Sequence, residues 1–419
     1  MIYLDYNATT PLCEPARRAI LPFLEEKFGN PSSIHAAGRE ARAAIDDARD
    51  RLANLLGAKP HELIFTSGGT EANNLAILGL ARSRAARGKH LISAKTEHHA
   101  VLNAVEHLEK FEGFEVTWLD VSENGLIDLN QLADSIRDDT VLVSIMHANN
   151  ETGLIQPLRE ISEICREHGV LLHSDMVQSF GKISMVIPST VEGSRDETFK
   201  VSPRDLSTSA AGATSGRDDV VSLVDAGSFA AHKFYGPKGA GLLFLRSGIP
   251  IEPIQFGGAH ENQRRPGTEN VAMIAGMAAA AEFVQRDREF EQARQRKLRD
   301  QLWQEISGQI ESVVLNSDAN CRLANTLNVS LPELDSETML MALDLEGVCA
   351  SSGSACMVGS VLASHVLLAM GLPLALAKSA IRFSLGKHTT AEEISTTAGI
   401  VSEIVQRTNA KRSERKVAV

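Results

Sequence analysis

The sequence has no surplus of positive charge, no apolar run of membrane length, no Cys-x-x-Cys pair and few cysteines of any spacing. Each absence removes a class of protein. A formal net charge of -11 leaves no basic face for sequence-independent nucleic-acid binding, so nucleic acid is not expected as a direct substrate. The longest apolar stretches, such as the one around Ala278 to Ala281, are broken by charges before the roughly 20 residues that a membrane span needs. Ile2-Tyr3-Leu4-Asp5-Tyr6 lacks the basic start and apolar run of a signal peptide, and the expected compartment is a reducing cytoplasm. Five cysteines, an odd number without the His/Cys spacing of a zinc site, imply neither a disulfide framework nor a structural metal. No metal is expected.

What is present is a chain of 419 residues with 43% hydrophobic composition, enough for a large core and for two or three domains. From about residue 60 to residue 246, short β-branched runs alternate with helix-period segments, the pattern of a doubly wound, mostly parallel α/β sheet. Residues 63–65, 90–92, 115–119, 140–146, 170–173 and 241–246 read as strands. Between them, 158–168 places Leu158, Ile161, Ile164 and Cys165 on one helical face, with Gly169 as the stop. After Thr268 a long Ala- and charge-rich stretch to about Ile306 reads as one helix. Strand-like 326–330 and 381–385 then follow, interleaved with helices, which suggests a smaller α+β domain. The expected division is a large domain at 15–288 and a small one made of 1–14 and 289–419. Residues 188–219, rich in Ser, Thr, Gly, Arg and Asp, read as a solvated loop inside an insertion at about 188–222.

Several short patterns carry possible chemistry. Cys356 sits in Ser351-Ser352-Gly353-Ser354-Ala355-Cys356, a run too small and polar to build a core, so it is a candidate nucleophile or simply a surface thiol. Thr66-Ser67-Gly68-Gly69-Thr70-Glu71 lies between a strand and a helix and could cradle a phosphate, although an ordinary capped turn has the same form. Asp175 ends a strand at the ligand edge of the sheet, where a carboxylate could hold a pyridinium nitrogen or cap the next helix. Lys233, in Ala231-His232-Lys233-Phe234-Tyr235-Gly236-Pro237-Lys238-Gly239, could form a Schiff base, though most lysines are merely solvated. His98, in Lys95-Thr96-Glu97-His98-His99-Ala100, starts a helix at the same edge and could stack on a flat ring or move protons.

Taken with Asp5-Tyr6-Asn7-Ala8-Thr9-Thr10, Phe28-Gly29-Asn30-Pro31-Ser32-Ser33 and His147-Ala148-Asn149-Asn150-Glu151-Thr152-Gly153, these patterns resemble the pyridoxal phosphate-dependent cysteine desulfurases. These are fold type I enzymes of the class V aminotransferase-like group, and the likeness spans nearly the whole chain except 188–222. The resemblance implies a large cofactor-binding α/β domain, pyridoxal 5'-phosphate as cofactor and L-cysteine as substrate. It makes Lys233 the Schiff-base lysine and Cys356 the persulfide carrier, on the long-loop branch that passes sulfur to iron-sulfur scaffold or thiolation proteins. His98 would stack on the ring, Asp175 would bind the pyridine nitrogen, and Gln178 and Asn150 would hydrogen-bond the phenolic oxygen. Gly69, Thr70 and His232 would hold the phosphate. Thr268, in Arg265-Pro266-Gly267-Thr268-Glu269-Asn270, would reach the phosphate of a partner subunit, implying a homodimer. Arg382, in Ile381-Arg382-Phe383-Ser384, would clamp the substrate carboxylate, a task suited to a planar guanidinium.

The chain departs from the family pattern in three places. Ala230-Ala231 replaces the usual Ser-Gly before the His-Lys pair, the insertion enlarges a connection before Lys233, and Met176-Val177 is bulkier than the usual residues after the aspartate. A selenocysteine lyase or another relative of the same fold, and a catalytically weak binding or scaffold protein, stand as the alternatives.

Overall fold

The computed structural model describes residues 1–184, 186–187, 218–317, 320–332, 334–352 and 363–417. The strands in chain order are β1 (Ile2–Tyr3), β2 (Leu63–Thr66), β3 (His90–Ala94), β4 (Glu115–Leu119), β5 (Thr140–Ser144), β6 (Leu171–Asp175) and β7 (Val186–Ile187). They continue with β8 (Asp218–Asp219), β9 (Ala226–Ala230), β10 (Gly241–Leu245), β11 (Val314–Leu315), β12 (Thr326–Ser330), β13 (Val348–Cys349) and β14 (Ala380–Ser384). The first helices are α1 (Glu14–Glu25), α2 (Ala36–Leu56), α3 (Gly69–Ser83), α4 (His99–Glu112), α5 (Leu129–Ser135) and α6 (Leu158–Glu167). The later ones are α7 (Val220–Leu223), α8 (Val271–Arg286), α9 (Arg288–Gln309), α10 (Ser336–Leu345), α11 (His365–Ala369), α12 (Leu374–Lys378) and α13 (Ala391–Val417).

Seven strands form the central sheet in the order β2-β10-β9-β6-β5-β3-β4, and only β10 runs antiparallel to its neighbours. Its inner strands are buried on both faces, as a parallel sheet requires once helices cover it. Successive side chains point to opposite faces, so each strand feeds two cores. Leu63, Phe65, Ile92, Leu172, Leu242 and Phe244 meet α2 and α8 on one face. Ile64, Leu91, Leu171, Leu243 and Leu245 meet α3 and α4 on the other. The expected strands are present, with β5 ending at Ser144 instead of continuing to residue 146.

A second sheet, β11-β12-β14, is antiparallel, and β1 pairs in parallel with β13 beside it. α9, α10 and α13 cover a separate apolar core that includes Leu302, Leu327, Phe383 and Val401. The N-terminal segment serves both cores, since Leu4 packs in this one while Tyr6 and Cys13 pack in the core of the central sheet. The stretch 268–306, expected as one helix, is two. α8 stops at Asp287, whose φ of -114° and ψ of 16° break the helical path before α9 begins. Asp218–Asp219, expected within the solvated loop, instead pair with Val186–Ile187, and α7 follows directly. Residues 188–217 of that loop lie outside the described residues. No described helix is long and apolar enough to cross a membrane.

A polar chain crosses the interior of the central sheet. Ser93 Oγ donates to the Ser144 carbonyl (3.0 Å), Ser144 Oγ contacts His173 Nδ1 (2.8 Å) and His173 Nε2 contacts Ser228 Oγ (3.0 Å). Burial pushes the fully enclosed His173 imidazole down to about 3 from an ordinary value of 6.5. The folded value lies below the unfolded one, so the unfolded chain binds more protons between them. The His173 contribution to stability is therefore complete above about pH 6.5 and is lost as pH falls toward the folded value. Between pH 7 and pH 5, urea unfolding should cost the wild type about 2 kcal/mol more stability than a His173→Gln variant. Equal losses in the two proteins would remove His173 as an acid-labile element.

Candidate active site

The ligand edge of the parallel strands opens on a cavity of about 390 Å³. Open α/β sheets bind ligands at this edge, where the strand order turns. Gly69, Thr70, His98, Asn150, Asp175, Gln178, His232, Lys233 and Arg382 all line it, so nine residues singled out from sequence converge in space. Thr268 does not line this cavity and is exposed to solvent. Cys356 lies outside the described residues.

At one end, α3 begins at Gly69 after Gly68, with no side chain capping its first N–H groups. Those groups, together with the helix dipole, favour an anion. Gly69 is required by its neighbour, because a Cβ there would come within 2.7 Å of Val177 Cγ2. The bulky Val177 noted in the sequence is thus accommodated by an absent side chain across from it. His232 sits nearby with Nδ1 3.2 Å from Thr9 Oγ1, and burial with the Lys233 and Lys238 charges pushes its imidazole down to about 4.

Asp175 is buried with both carboxylate oxygens engaged. Oδ1 accepts from the Val177 N–H (2.9 Å) and Oδ2 from Asn73 Nδ2 (2.6 Å). Asn73, which also lines the cavity, keeps its own Oδ1 buried without a partner. His98 is the N-cap of α4, its Nδ1 accepting from the Ala100 N–H at 3.1 Å, which leaves the ring proton on Nε2. Burial lowers its basicity, with the Lys233 charge acting the same way and Asp175 opposing. The ring is therefore held toward its neutral form.

The Lys233 amine donates to the Asn7 and Ala8 carbonyls at 2.8 and 2.7 Å. Gln178 Nε2 donates to the same Asn7 carbonyl at 2.9 Å. Arg382, almost fully buried on β14, donates from its two terminal nitrogens to the Asn150 carbonyl (2.9 Å) and to Asp5 Oδ1 (2.8 Å), while its Nε lacks a partner. Such an arginine is oriented and still able to take a carboxylate.

Sequence reading missed the residues that hold these groups. Asn7, Asn73, Lys182, Glu97 and Glu151 are polar side chains in or beneath the site, and their only signal was polarity inside otherwise apolar or motif-bearing runs. Glu97 accepts from the Met146 N–H (2.6 Å) through Oε1 and has no partner at Oε2, and burial pushes its carboxyl well above the usual range. Glu151 accepts from Ser364 Oγ at 2.5 Å, and its carboxyl is likewise raised by burial. His365 Nε2 donates to the Glu97 carbonyl at 2.9 Å. Ser351, on the other side of residues 353–362, exchanges backbone hydrogen bonds with Arg382 at 3.1 and 2.6 Å. Both ends of the Cys356 segment are therefore fastened to residues of the cavity or to their immediate neighbours.

The cavity fits pyridoxal phosphate on its own features: an uncapped helix start, a buried carboxylate and a lysine amine line the same space. Among the known proteins, the family model described as aminotransferase class-V matches residues 2–190 and 210–396. Cysteine desulfurase IscS from Dictyoglomus turgidum is 45% identical over 97% of this chain and 95% of its own, and that from Methanosarcina thermophila is 40% identical over 97% and 92%. The solved structure of a NifS-like protein covers 97% of this chain and 99% of its own at a TM-score of 0.83, with 33% identity. The chain belongs to the aminotransferase class-V family and, within it, to the cysteine desulfurases.

Proposed function

We propose that this chain converts L-cysteine to L-alanine with pyridoxal phosphate bound in the cavity and the sulfur carried away on Cys356. The observation that supports this most directly is the convergence of Lys233, Asp175 and Arg382 on one cavity beside an uncapped helix start. The phosphate would rest on the first turn of α3 through Gly69 and Thr70, with His232 beside it. Asp175 would hold the ring nitrogen, His98 would lie on the ring face, and Gln178 and Asn150 would reach its phenolic oxygen. Bound in this way, the cofactor supplies an electron sink for the substrate α-carbon.

The chain's own groups supply the rest. Arg382 holds the substrate carboxylate, already aligned by Asp5 and the Asn150 carbonyl. The Lys233 amine would carry the α-proton, and the neutral His98 would offer its Nε2–H as a donor nearby. The Cys356 thiolate then takes the sulfur, forming the S–S bond of a persulfide as the substrate C–S bond breaks, and alanine leaves. An acceptor protein of iron-sulfur assembly or thiolation is the expected recipient. Ala230 stands in the cavity wall where a hydroxyl would otherwise meet the phosphate, which points to weaker cofactor retention.

A homodimer completes the reading. Phe28, Ile34 and Phe256 are 83, 91 and 90% exposed, apolar surface that a second copy would cover. Thr268 lies on the same loop as Phe256, and that loop is tied to the first turn of α3 by Arg265 and Glu71 at 2.7 Å. A partner's cavity is its proposed destination.

Cys356→Ser should keep the visible cofactor band and its shift on adding cysteine while losing multiple-turnover alanine formation. Mass spectrometry of the wild type after cysteine should find one added sulfur on Cys356, and a wild-type rate in the serine variant would remove Cys356 from the reaction. Asn73→Ala should loosen Asp175 and lower cofactor affinity by about tenfold, read by equilibrium dialysis, since a charge-bearing hydrogen bond of this kind is worth about 1.5–3 kcal/mol.

A further inference from the structure

A second lysine lies behind the cavity wall, and the reaction as described does not use it. After β6 the chain makes a loose helical turn, with Phe180 N–H on the Met176 carbonyl and Ile183 N–H on that of Ser179. This places Gln178 and Lys182, four residues apart, on one side. Gly181, at φ 74°, allows the turn, and a Cβ there would come within 2.7 Å of Val284. The Lys182 amine donates to Gln178 Oε1 at 2.6 Å and to Asn7 Oδ1 at 2.8 Å. Among the described residues no carboxylate lies within ion-pair distance of it.

Enclosing an amine without a counter-ion is costly, and a methionine would fill similar space without that cost. Burial, with the Lys233 and Arg382 charges, pushes the Lys182 amine well below its ordinary value. A group retained against such a penalty needs a use, and its partners indicate one. Both are amide oxygens of residues that touch the catalytic lysine or the cavity. Gln178 can rotate its terminal amide with little preference of its own. With Oε1 committed to Lys182 and one N–H to the Asn7 carbonyl, the amide is left with an N–H to offer the cavity. Asn7, gripped through its side chain by Lys182, offers its carbonyl to Lys233.

Resting on the function proposed above, we propose that Lys182 is a positioning residue. From behind the wall it keeps an N–H of Gln178 turned toward the cofactor oxygen and sets, through Asn7, where the Lys233 amine lies. Other charges face the two lysines. Arg382 comes from β14, Asp175 from β6 and His98 from the start of α4, with His232 adjacent to Lys233 in the chain. Across a small second cavity of about 40 Å³ that both lysines line are Arg288 and Glu291 of α9, Lys387 after β14, and the Tyr6 and Tyr235 phenols.

The test is Lys182→Met in the full-length, cofactor-loaded protein, read by pH titration of the visible cofactor band and by steady-state alanine formation. The titration midpoint should move by about half a pH unit or more, and kcat should fall about tenfold with KM for cysteine within about twofold. Lys182→Gln, which retains an N–H donor without the amine, should bring the midpoint part of the way back toward wild type, and it carries the same test if the methionine variant does not fold. In a Gln178→Ala background, Lys182→Met should move the midpoint less than in the wild-type background, because only the route through Asn7 remains. A methionine variant that titrates like wild type, or a shift of equal size in both backgrounds, overturns the role. A wild-type protein that takes up no cofactor or makes no alanine defeats the proposed function instead. A normal wild type beside an indifferent variant defeats this inference alone.

Discussion

Asn7 is the residue on which the two halves of the molecule close. Its carbonyl receives Lys233 and Gln178, its side-chain oxygen receives Lys182 and Asn325, and its amide nitrogen donates to Thr326 Oγ1 and the Asn150 carbonyl. Its backbone N–H donates to Ser384 Oγ. One residue thus bridges the loops of the central sheet to β12 and β14 of the smaller one. It sits between β1, bound into the second core, and α1, packed against the first. A buried polar hub of this kind stabilises only when every arm is matched, so the relative placement of the sheets and the position of the Lys233 amine are set together.

The distribution of charge in the site follows from desolvation. Buried groups drift toward their neutral forms: His98 and His232 lose basicity, while Glu97 and Glu151 lose acidity. Arg382, by contrast, stays paired with Asp5, as a group that cannot shed its charge must. Arg382 therefore keeps a fixed positive charge at the cavity wall, answered in part by Asp5. Around it lie imidazoles held toward their neutral forms.

Much of this was legible in the sequence. The β-branched runs of the central sheet could be read because doubly buried strands are short, apolar and punctuated by turns. Residues such as Asp175 and Lys233 could be read because their motifs sit at strand ends where ligands bind. What escaped has equally physical reasons. The break at Asp287 was hidden because neither glycine nor proline marks it, and helix-period residues continue on both sides. The short pairing of Val186–Ile187 with Asp218–Asp219 was hidden because two adjacent aspartates carry no strand propensity. Asn7, Asn73 and Lys182 escaped because a supporting residue is defined by what it touches across the fold. Asn7 and Lys182 meet though 175 positions separate them.

The polar chain from Ser93 through Ser144 and His173 to Ser228 has a consequence beyond its response to acid. The inner strands of a parallel sheet resemble one another, since all are short apolar ribbons that could pair with the wrong neighbour or slide by a residue at little cost. A single row of hydroxyls and one imidazole, matched only when β3, β5, β6 and β9 lie side by side in this order, acts as a key cut across the sheet. In this arrangement both imidazole nitrogens are answered, by Ser144 Oγ and Ser228 Oγ. The cavity edge inherits that accuracy, because Asp175 is two residues beyond His173 on the same strand.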